Sequence, residues 1–366
     1  MQNDKTFQSN LKTSLKLLLK NINYAIIYKN CGTPLKEAYV NNQDIMTCAS
    51  FFAGVGGIDL GFKNVGFKTI YANEIDELPV KTYESNFNLK VDCRDINDVK
   101  SNEIPNFDIM LAGFPCQAFS VAGYRQGFND EKGRGILFFQ LAKIIRDKKP
   151  QIVFLENVKN LVSHDNGKTF RVIIETLRTE GYYVKYQVLN TMDYGNIPHN
   201  RERIYIIGFL DESIYKEFEF PMPQELTTKL ADVIDYKTKQ DDKYYYTKDN
   251  FSHYDELSKN MTSMNTIYQW RRVYVRENQS NVCPTLTANM GTGGHNVPLI
   301  LTETGIRKLT PRECFNLQGF PKSFKLPETT ANCHLYKQAG NSVSVSVITR
   351  IAQNIKDAIL KRKNNG

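Results

Sequence analysis

Three residues of this 366-residue chain have the types needed for nucleophilic and acid–base chemistry: Cys116, Glu156 and Arg203. Each falls at the carboxyl end or edge of a stretch that reads as a strand. In an open α/β sheet, ligands bind at that end of the strands. Cys116 follows the apolar-rich run Phe107–Ala112, which Gly113 and Pro115 break. A thiolate near a helix terminus and an arginine is a competent nucleophile. A buried carboxyl such as Glu156 has a raised pKa and can protonate a ring nitrogen, and an arginine can hold a carbonyl oxygen. Two plainer readings stand beside this one: a cysteine that fills space, and a structural Glu156–Arg203 ion pair. These three residues alone do not choose between them.

A second group suits binding. Phe51-Phe-Ala-Gly-Val-Gly-Gly57 follows a strand, and glycines there let the backbone approach a ligand at a helix N-terminus. Glu74, about twenty residues on, ends the next strand, where an acid takes a ribose diol in nucleotide-binding folds. Asp95, expected to end a third strand, can accept from an adenine amino group. The trio points to an adenosine-containing cofactor without separating a dinucleotide from S-adenosylmethionine. Gly-x-Gly-Gly departs from the Gly-x-Gly-x-x-Gly dinucleotide fingerprint and leans toward the latter.

The elements that position these groups follow from the apolar period. Strands are expected at 47–53, 69–73, 91–96, 107–112, 152–155, 182–190 and 203–209, alternating with helices at 58–65, 78–86, 135–147 and 168–180. That rhythm predicts the α/β class: a mostly parallel sheet with helices on both faces. Residues 1–44 form a basic N-terminal extension whose Leu11, Leu15, Leu18 and Leu19 fit one helix. After Pro221 and Pro223 the rhythm stops, and 232–306 reads as a smaller, irregular, β-rich domain. Thr310 caps a helix over 310–318 with Pro311 in its first turn, and 342–361 reads as a final helix. The domains are then 1–44, 45–231, 232–306, a connecting segment 307–339, and a C-terminal helix 340–366.

Composition narrows the class of protein. The net charge of +8 suits a polyanionic partner. Residues 209–306 hold ten Lys/Arg against fourteen Asp/Glu, so the positive excess lies elsewhere. No run of the ~18–20 apolar residues that a membrane helix needs occurs, and the N-terminus lacks a secretory signal's pattern. Seven scattered cysteines without Cys-x-x-Cys pairs suit reduced thiols and a cytoplasmic location. Five histidines without zinc-like spacing give no reason to expect a metal.

Read together, the motifs resemble those of the cytosine-5 DNA methyltransferases, in that family's order over about residues 46–360. They are Phe-Ala-Gly-Val-Gly-Gly (52–57), Gly-Phe-Pro-Cys-Gln (113–117), Glu-Asn-Val (156–158), Arg-Glu-Arg (201–203), Arg-Lys-Leu-Thr-Pro-Arg-Glu-Cys (307–314), Gln-Gly-Phe-Pro (318–321) and Gln-Ala-Gly-Asn-Ser-Val (338–343). The resemblance implies a Rossmann-like S-adenosylmethionine-dependent methyltransferase sheet with a target-recognition domain. It implies that Cys116 attacks C6 of a flipped-out cytosine, Glu156 binds and protonates N3, Asn157 supports that loop, and Arg203 holds O2, with Arg201 in the same catalytic set. Phe52, Ala53, Gly54, Gly56, Gly57, Glu74, Ile75, Asp95, Ile96, Gly113, Pro115, Leu137, Asn341, Ser342 and Val343 would hold S-adenosylmethionine, so the C-terminal helix should pack back beside the first strand. Residues 118–134 would be a lid, with Gln117, Ser120 and Arg125 on DNA.

Target choice would belong to 232–306. There, 268–276 alternates as one strand that would present Arg272, Tyr274 and Arg276 on one face. Thr285 and Leu286 match the family's pair at the DNA-facing edge. The implied partners are double-stranded DNA and, genetically, a cognate restriction endonuclease, with the enzyme itself a monomer. Three departures stand out: His199 where the family has Gln, Ile75 where an aromatic residue often stacks on adenine, and the extension 1–44. Some relatives methylate transfer RNA, and the long variable region favours DNA. A non-catalytic DNA-binding regulator would not need Cys116, Glu156 and Arg203 together, and a dehydrogenase would leave Pro-Cys-Gln and Asn-Ser-Val unexplained.

Overall fold

Ile109 and Leu111 point to one side of strand β3 (Ile109–Ala112), Met110 and Ala112 to the other, and all four are buried. A strand apolar on both faces belongs in the middle of a covered sheet. The computed structural model describes residues 45–115, 136–293 and 296–365, within the compact unit Ile45–Gly366. In it, β3 lies between β1 (Thr47–Phe51) and β4 (Ile152–Val158), parallel to both. With β2 (Lys68–Asn73), β5 (Tyr183–Asn190) and β7 (Glu202–Phe209) they form a six-stranded sheet, order β2-β1-β3-β4-β7-β5. β7 is antiparallel to both its neighbours, so five strands run one way and one the other.

Helices cover both faces, as the βα rhythm requires. On one, α1 (Gly57–Lys63) places Ile58 and Phe62 against Cys48, Leu111 and Phe154. On the other, α3 (Ile136–Lys148) and α4 (Lys168–Thr179) bury Phe138, Leu141, Ile173 and Leu177 against Met110, Val153 and Ile206. Between β2 and β3, α2 (Glu77–Asn86) is capped by Asp76, which accepts from the Leu78 N–H. The chain's end returns to the sheet. α6 (Pro311–Leu317) starts at the expected Thr310–Glu313 capping box, α7 (Asn332–Asn341) follows, and α8 (Val345–Asn365) packs its Ile348, Ile351 and Ile355 on the α1 side. A Cβ on Gly61 would run into the Ile348 side chain, so the two helices meet where only glycine fits.

Residues 268–308 make a second, antiparallel sheet from β8 (Tyr268–Trp270), β9 (Val275–Glu277), β11 (Leu299–Thr302) and β12 (Gly305–Lys308). It buries Tyr268, Leu299 and Ile306 with Val297 and with Leu257 of helix α5 (Tyr254–Asn260). Two two-residue strands, β6 (His199–Asn200) and β10 (Cys283–Pro284), pair in parallel and tie this region to the main sheet. Among the described residues, no helix is long and apolar enough to cross a membrane.

Four expectations need correction. Residues 268–276 are not one strand but a hairpin: the Arg271 N–H donates to the Tyr274 carbonyl at 2.8 Å, and Arg272 has φ 67°. A continuous strand would send Val275 away from the face of Tyr268 and Trp270; the reversal pairs Val275 with Trp270 and lets both pack on one core. Arg272 and Tyr274 therefore lie in the turn, and Arg276 is paired with Gln269, so the three share no strand face. Residues 91–96 make a single bridge, Asn73 to Asp92, in place of a third strand. The Asn73 amide donates to the carbonyls of Asp92 and Arg94, replacing a ladder with side-chain bonds. β4 runs on through Glu156 and Asn157 because β7 pairs with it as far as Val158. The final helix begins at Val345, with Asn341 ending α7 and Ser342 as its C-cap. The expected N-terminal helix, the lid 118–134, and Cys116, Gln117, Ser120 and Arg125 lie outside the described residues.

Gly61→Ala is expected to lower stability by about 1–3 kcal/mol through overpacking against Ile348. The urea midpoint reads the loss, and Ile348→Ala in the same chain should recover part of it.

Candidate active site

The carboxyl ends of β1, β2, β3 and β4 open onto one cavity of about 540 Å³. At one end, Glu156 and Arg203 stand side by side, Arg203 Nε 3.1 Å from Glu156 Oε1. Both come from the β4–β7 pairing, in which Val158 faces Arg203 and Glu156 stands two residues up the same face. Burial pushes the Glu156 carboxyl above its ordinary range, and the Arg203 and Arg201 charges offset this only in part. Such a carboxyl holds a proton closer to neutrality than a solvated one. Asn157 donates through Nδ2 to the Phe114 carbonyl at 2.8 Å and accepts the Val158 N–H at 2.8 Å. It thereby fixes the Gly113-Phe-Pro115 lead-in, which reaches the cavity wall immediately before Cys116.

At the other end, the turn after β1 supplies Phe52, Ala53, Gly54 and Gly57. Gly54 has φ 55°, and nothing lies within 4 Å of the place a Cβ would take, so its backbone faces open space. Glu74 Oε2 accepts the Gly54 N–H at 2.8 Å, while Oε1 accepts the Asp76 N–H at 3.0 Å. Ile75, well exposed, lines the mouth with Asp95, Ile96 and Leu137. Asn341, Ser342 and Val343 close the wall from the chain's far end. Among the described residues the buried Ser342 hydroxyl has no hydrogen-bond partner, an orphan that a polar ligand would satisfy.

Not every expected residue stands where its motif suggested. Gly56 does not line the cavity. Its φ of 84° begins α1, and a Cβ there would run into the Phe87 ring, so its glycine serves the turn and its packing. Arg201 lies on the wall but is fully buried, and its guanidinium donates to the carbonyls of Leu286, Gly340 and Ser342. Burial and the neighbouring Arg203 push its pKa down to about 9. The Leu286 side chain is buried in the core and cannot face DNA, whereas Thr285 is exposed and donates to the Asn200 carbonyl at 2.6 Å. Arg272, Tyr274, Arg276 and Thr285 lie away from the cavity wall.

Other wall residues escaped the sequence reading: Asp76, Arg94, His334 and Lys337; Gln338, also on the wall, stood in a recognised motif without a role. Lys337 Nζ reaches Asp76 Oδ2 at 2.9 Å, joining α7 to the start of α2. One signal was available, since His334 and Lys337 lie on α7 just ahead of the recognised Gln-Ala-Gly-Asn-Ser-Val segment.

A family profile described as C-5 cytosine-specific DNA methylase matches residues 46–357. The chain belongs to that family. Type II methyltransferase M.Bsp6I of Bacillus sp. (strain RFL6) is 62% identical over 317 residues, covering 86% of this chain and all of that one. Type II methyltransferase M.HhaI of Haemophilus parahaemolyticus is 39% identical over 321 residues, covering 84% and 93%. Among solved structures, the Entamoeba histolytica methyltransferase EhMeth superposes with TM-score 0.67 at 19% identity, covering 87% of this chain and 99% of that one. S. pombe Dnmt2 methyltransferase does so with 0.64 at 17% identity, covering 88% and 100%. These two establish the shared fold. The chain is thus a C-5 cytosine methyltransferase of the restriction–modification type.

The methyltransferase's His199, which replaces the family's Gln, is fully buried. Its Nδ1 is 3.1 Å from the Leu317 carbonyl, and its Nε2 accepts the Leu286 N–H at 3.2 Å. Both bonds form together only if the ring is neutral with its proton on Nδ1. Burial first, then Arg201 and Arg203, holds its pKa well below the ordinary 6.5. The unfolded chain therefore takes up a proton that the folded chain refuses, and the histidine's contribution to stability, full above 6.5, is lost as pH falls. His199→Gln can make both bonds without titrating. Its urea midpoint should fall less steeply than the wild type's between about pH 6.5 and 5.

Proposed function

We propose that this methyltransferase modifies C5 of a cytosine flipped out of a short, specific double-stranded DNA sequence, through a covalent bond between Cys116 and C6. In this reading S-adenosyl-L-methionine occupies the cavity and supplies an electrophilic methyl group. Glu74 would take its ribose hydroxyls, Asp95 and Ile96 would lie at its adenine, and the Gly54 backbone and the orphaned Ser342 hydroxyl would meet its methionine portion. The observation that carries the proposal is one continuous cavity with the Glu156–Arg203 pair at one end and Glu74 at the other.

The protein's own groups do the following. Cys116 attacks C6 as a thiolate, which breaks the ring's aromaticity and makes C5 nucleophilic. Glu156, with its raised pKa, donates a proton to N3 and so absorbs the negative charge that the attack creates. Arg203 holds O2 and keeps Glu156 in place. After methylation the C5 proton passes to water, the Cys116 thiolate departs, and N3 returns its proton to Glu156, which restores the ring. A base inside the stacked duplex presents neither C6 nor N3 to these groups, which is why extrusion is required.

Residues 232–306 are the proposed target-recognition region, with 1–44 as an extension and 340–366 completing the catalytic part. The β8–β9 turn supports this reading: Val273 is 80% exposed at its tip, between Arg272 and Tyr274, with Arg276 following on β9. Apolar and arginine side chains on a projecting turn suit a groove of DNA. A cognate restriction endonuclease would cut the same sequence when it is unmethylated, and the enzyme would act on DNA as a monomer.

Purified protein, plasmid DNA and labelled S-adenosylmethionine, followed by bisulfite sequencing, test the reading. Methylated cytosines should fall within one short motif, and Cys116→Ala should abolish transfer. Glu156→Gln should lower kcat by about 10²–10⁴-fold. Transfer to transfer RNA but not to duplex DNA would overturn the proposed substrate. Arg272→Ala should reduce discrimination among related sequences by about 1–3 kcal/mol if its guanidinium reads a base edge, measured as the kcat/KM ratio between the motif and its single-base variants.

A further inference from the structure

Arg201 is the residue whose surroundings fit catalysis least well and mechanical linkage best. Its side chain is fully buried, and among the described residues its guanidinium donates to backbone carbonyls of two remote segments: Leu286 on one side, Gly340 and Ser342 on the other. Gly340 and Ser342 stand on the cavity wall. Leu286 adjoins Thr285, exposed and tied by its hydroxyl to the Asn200 carbonyl on β6.

We propose that Arg201 is a positioning residue that couples DNA engagement at the exposed Thr285 to the cofactor wall at 340–342, so that each ligand tightens the other. The inference rests on the functional reading above. A guanidinium is planar and rigid and has five donors, so one side chain can hold carbonyls of two segments in a fixed relation. Apolar packing would join the segments at lower desolvation cost but without directed bonds. Nothing cushions the joint either. A Cβ at Gly340 would run into the Thr287 backbone, so the two segments touch main chain to main chain. His199 holds the Leu286 N–H from the same stretch that carries Arg201. A shift of 285–287 therefore moves the Gly340–Ser342 carbonyls or breaks bonds to Arg201. DNA seated on 285 and a ligand seated on Ser342 would each favour one setting of this joint, and the coupling must be reciprocal.

The test is a binding cycle, free of turnover. The affinity of the holo-competent full chain for S-adenosylhomocysteine is measured by calorimetry, with and without a duplex carrying the motif found by bisulfite sequencing. In the wild type, DNA should tighten S-adenosylhomocysteine about tenfold, and the reverse by the same factor. Arg201→Lys keeps a charge but cannot span both segments, so the factor should fall to about two or less while each ligand still binds alone. An equal factor in wild type and variant, or no coupling in the wild type, overturns the proposal. A wild type that binds neither ligand overturns the functional reading instead. A purely structural Arg201 would alter affinities or stability but leave the factor intact. Should Arg201→Lys fail to fold, hydrogen exchange on the wild type decides: S-adenosylhomocysteine alone should slow exchange at the Leu286 amide, and unchanged exchange there overturns the linkage.

Discussion

Val158 on β4 is paired with Arg203 on β7, and Glu156 stands two residues from Val158 on the same face. The antiparallel register of these strands is therefore what puts a buried carboxyl 3.1 Å from a guanidinium. A slip of one residue would turn one partner to the opposite face and leave each charge buried alone, a cost of several kcal/mol per ion. The register is held by apolar pairs behind the site, Phe154 with Ile207 and Leu155 with Ile206, which face the two helical layers. Packing of the sheet and the chemistry of its end are in this sense one constraint.

The same sheet explains why the site draws on both ends of the compact unit. β1 and β3 deliver the glycine turn and the Gly-Phe-Pro lead-in side by side. The remaining wall has to come from elsewhere, and it comes from 334–343, brought back by α8 lying on α1. Gly61 permits that approach, and Gly340 permits the next one, against residue 287. Two glycines in helices, each destabilising by about 0.5–1 kcal/mol relative to alanine in an open helix, are here the condition for closing the cavity.

Much of this was legible in order along the chain. The βα rhythm, the Thr310 capping box and the positions of Glu74, Glu156, Asn157 and Arg203 follow from period, turn residues and motif chemistry, all of them local. The 268–276 hairpin was not legible, because its turn has no Gly, Pro or Asn and its alternation passes through the reversal unbroken. Nor was the loss of the third strand, since Asn73 replaces its ladder with side-chain bonds to carbonyls nineteen and twenty-one residues away. Gly56 and Gly54 look alike in sequence; only the Phe87 ring behind one and the open space before the other separate their tasks.

By itself, then, the sequence determined the α/β class, the family and the side chains on which the proposed chemistry rests, because those depend on side-chain type and short spacing. The tertiary structure alone decided what His199, Arg201 and Leu286 do. Their partners lie 85 to 141 residues away and are mostly backbone groups, which carry no sequence signature. A backbone carbonyl is the same at every position, and only folding determines which one a buried arginine meets.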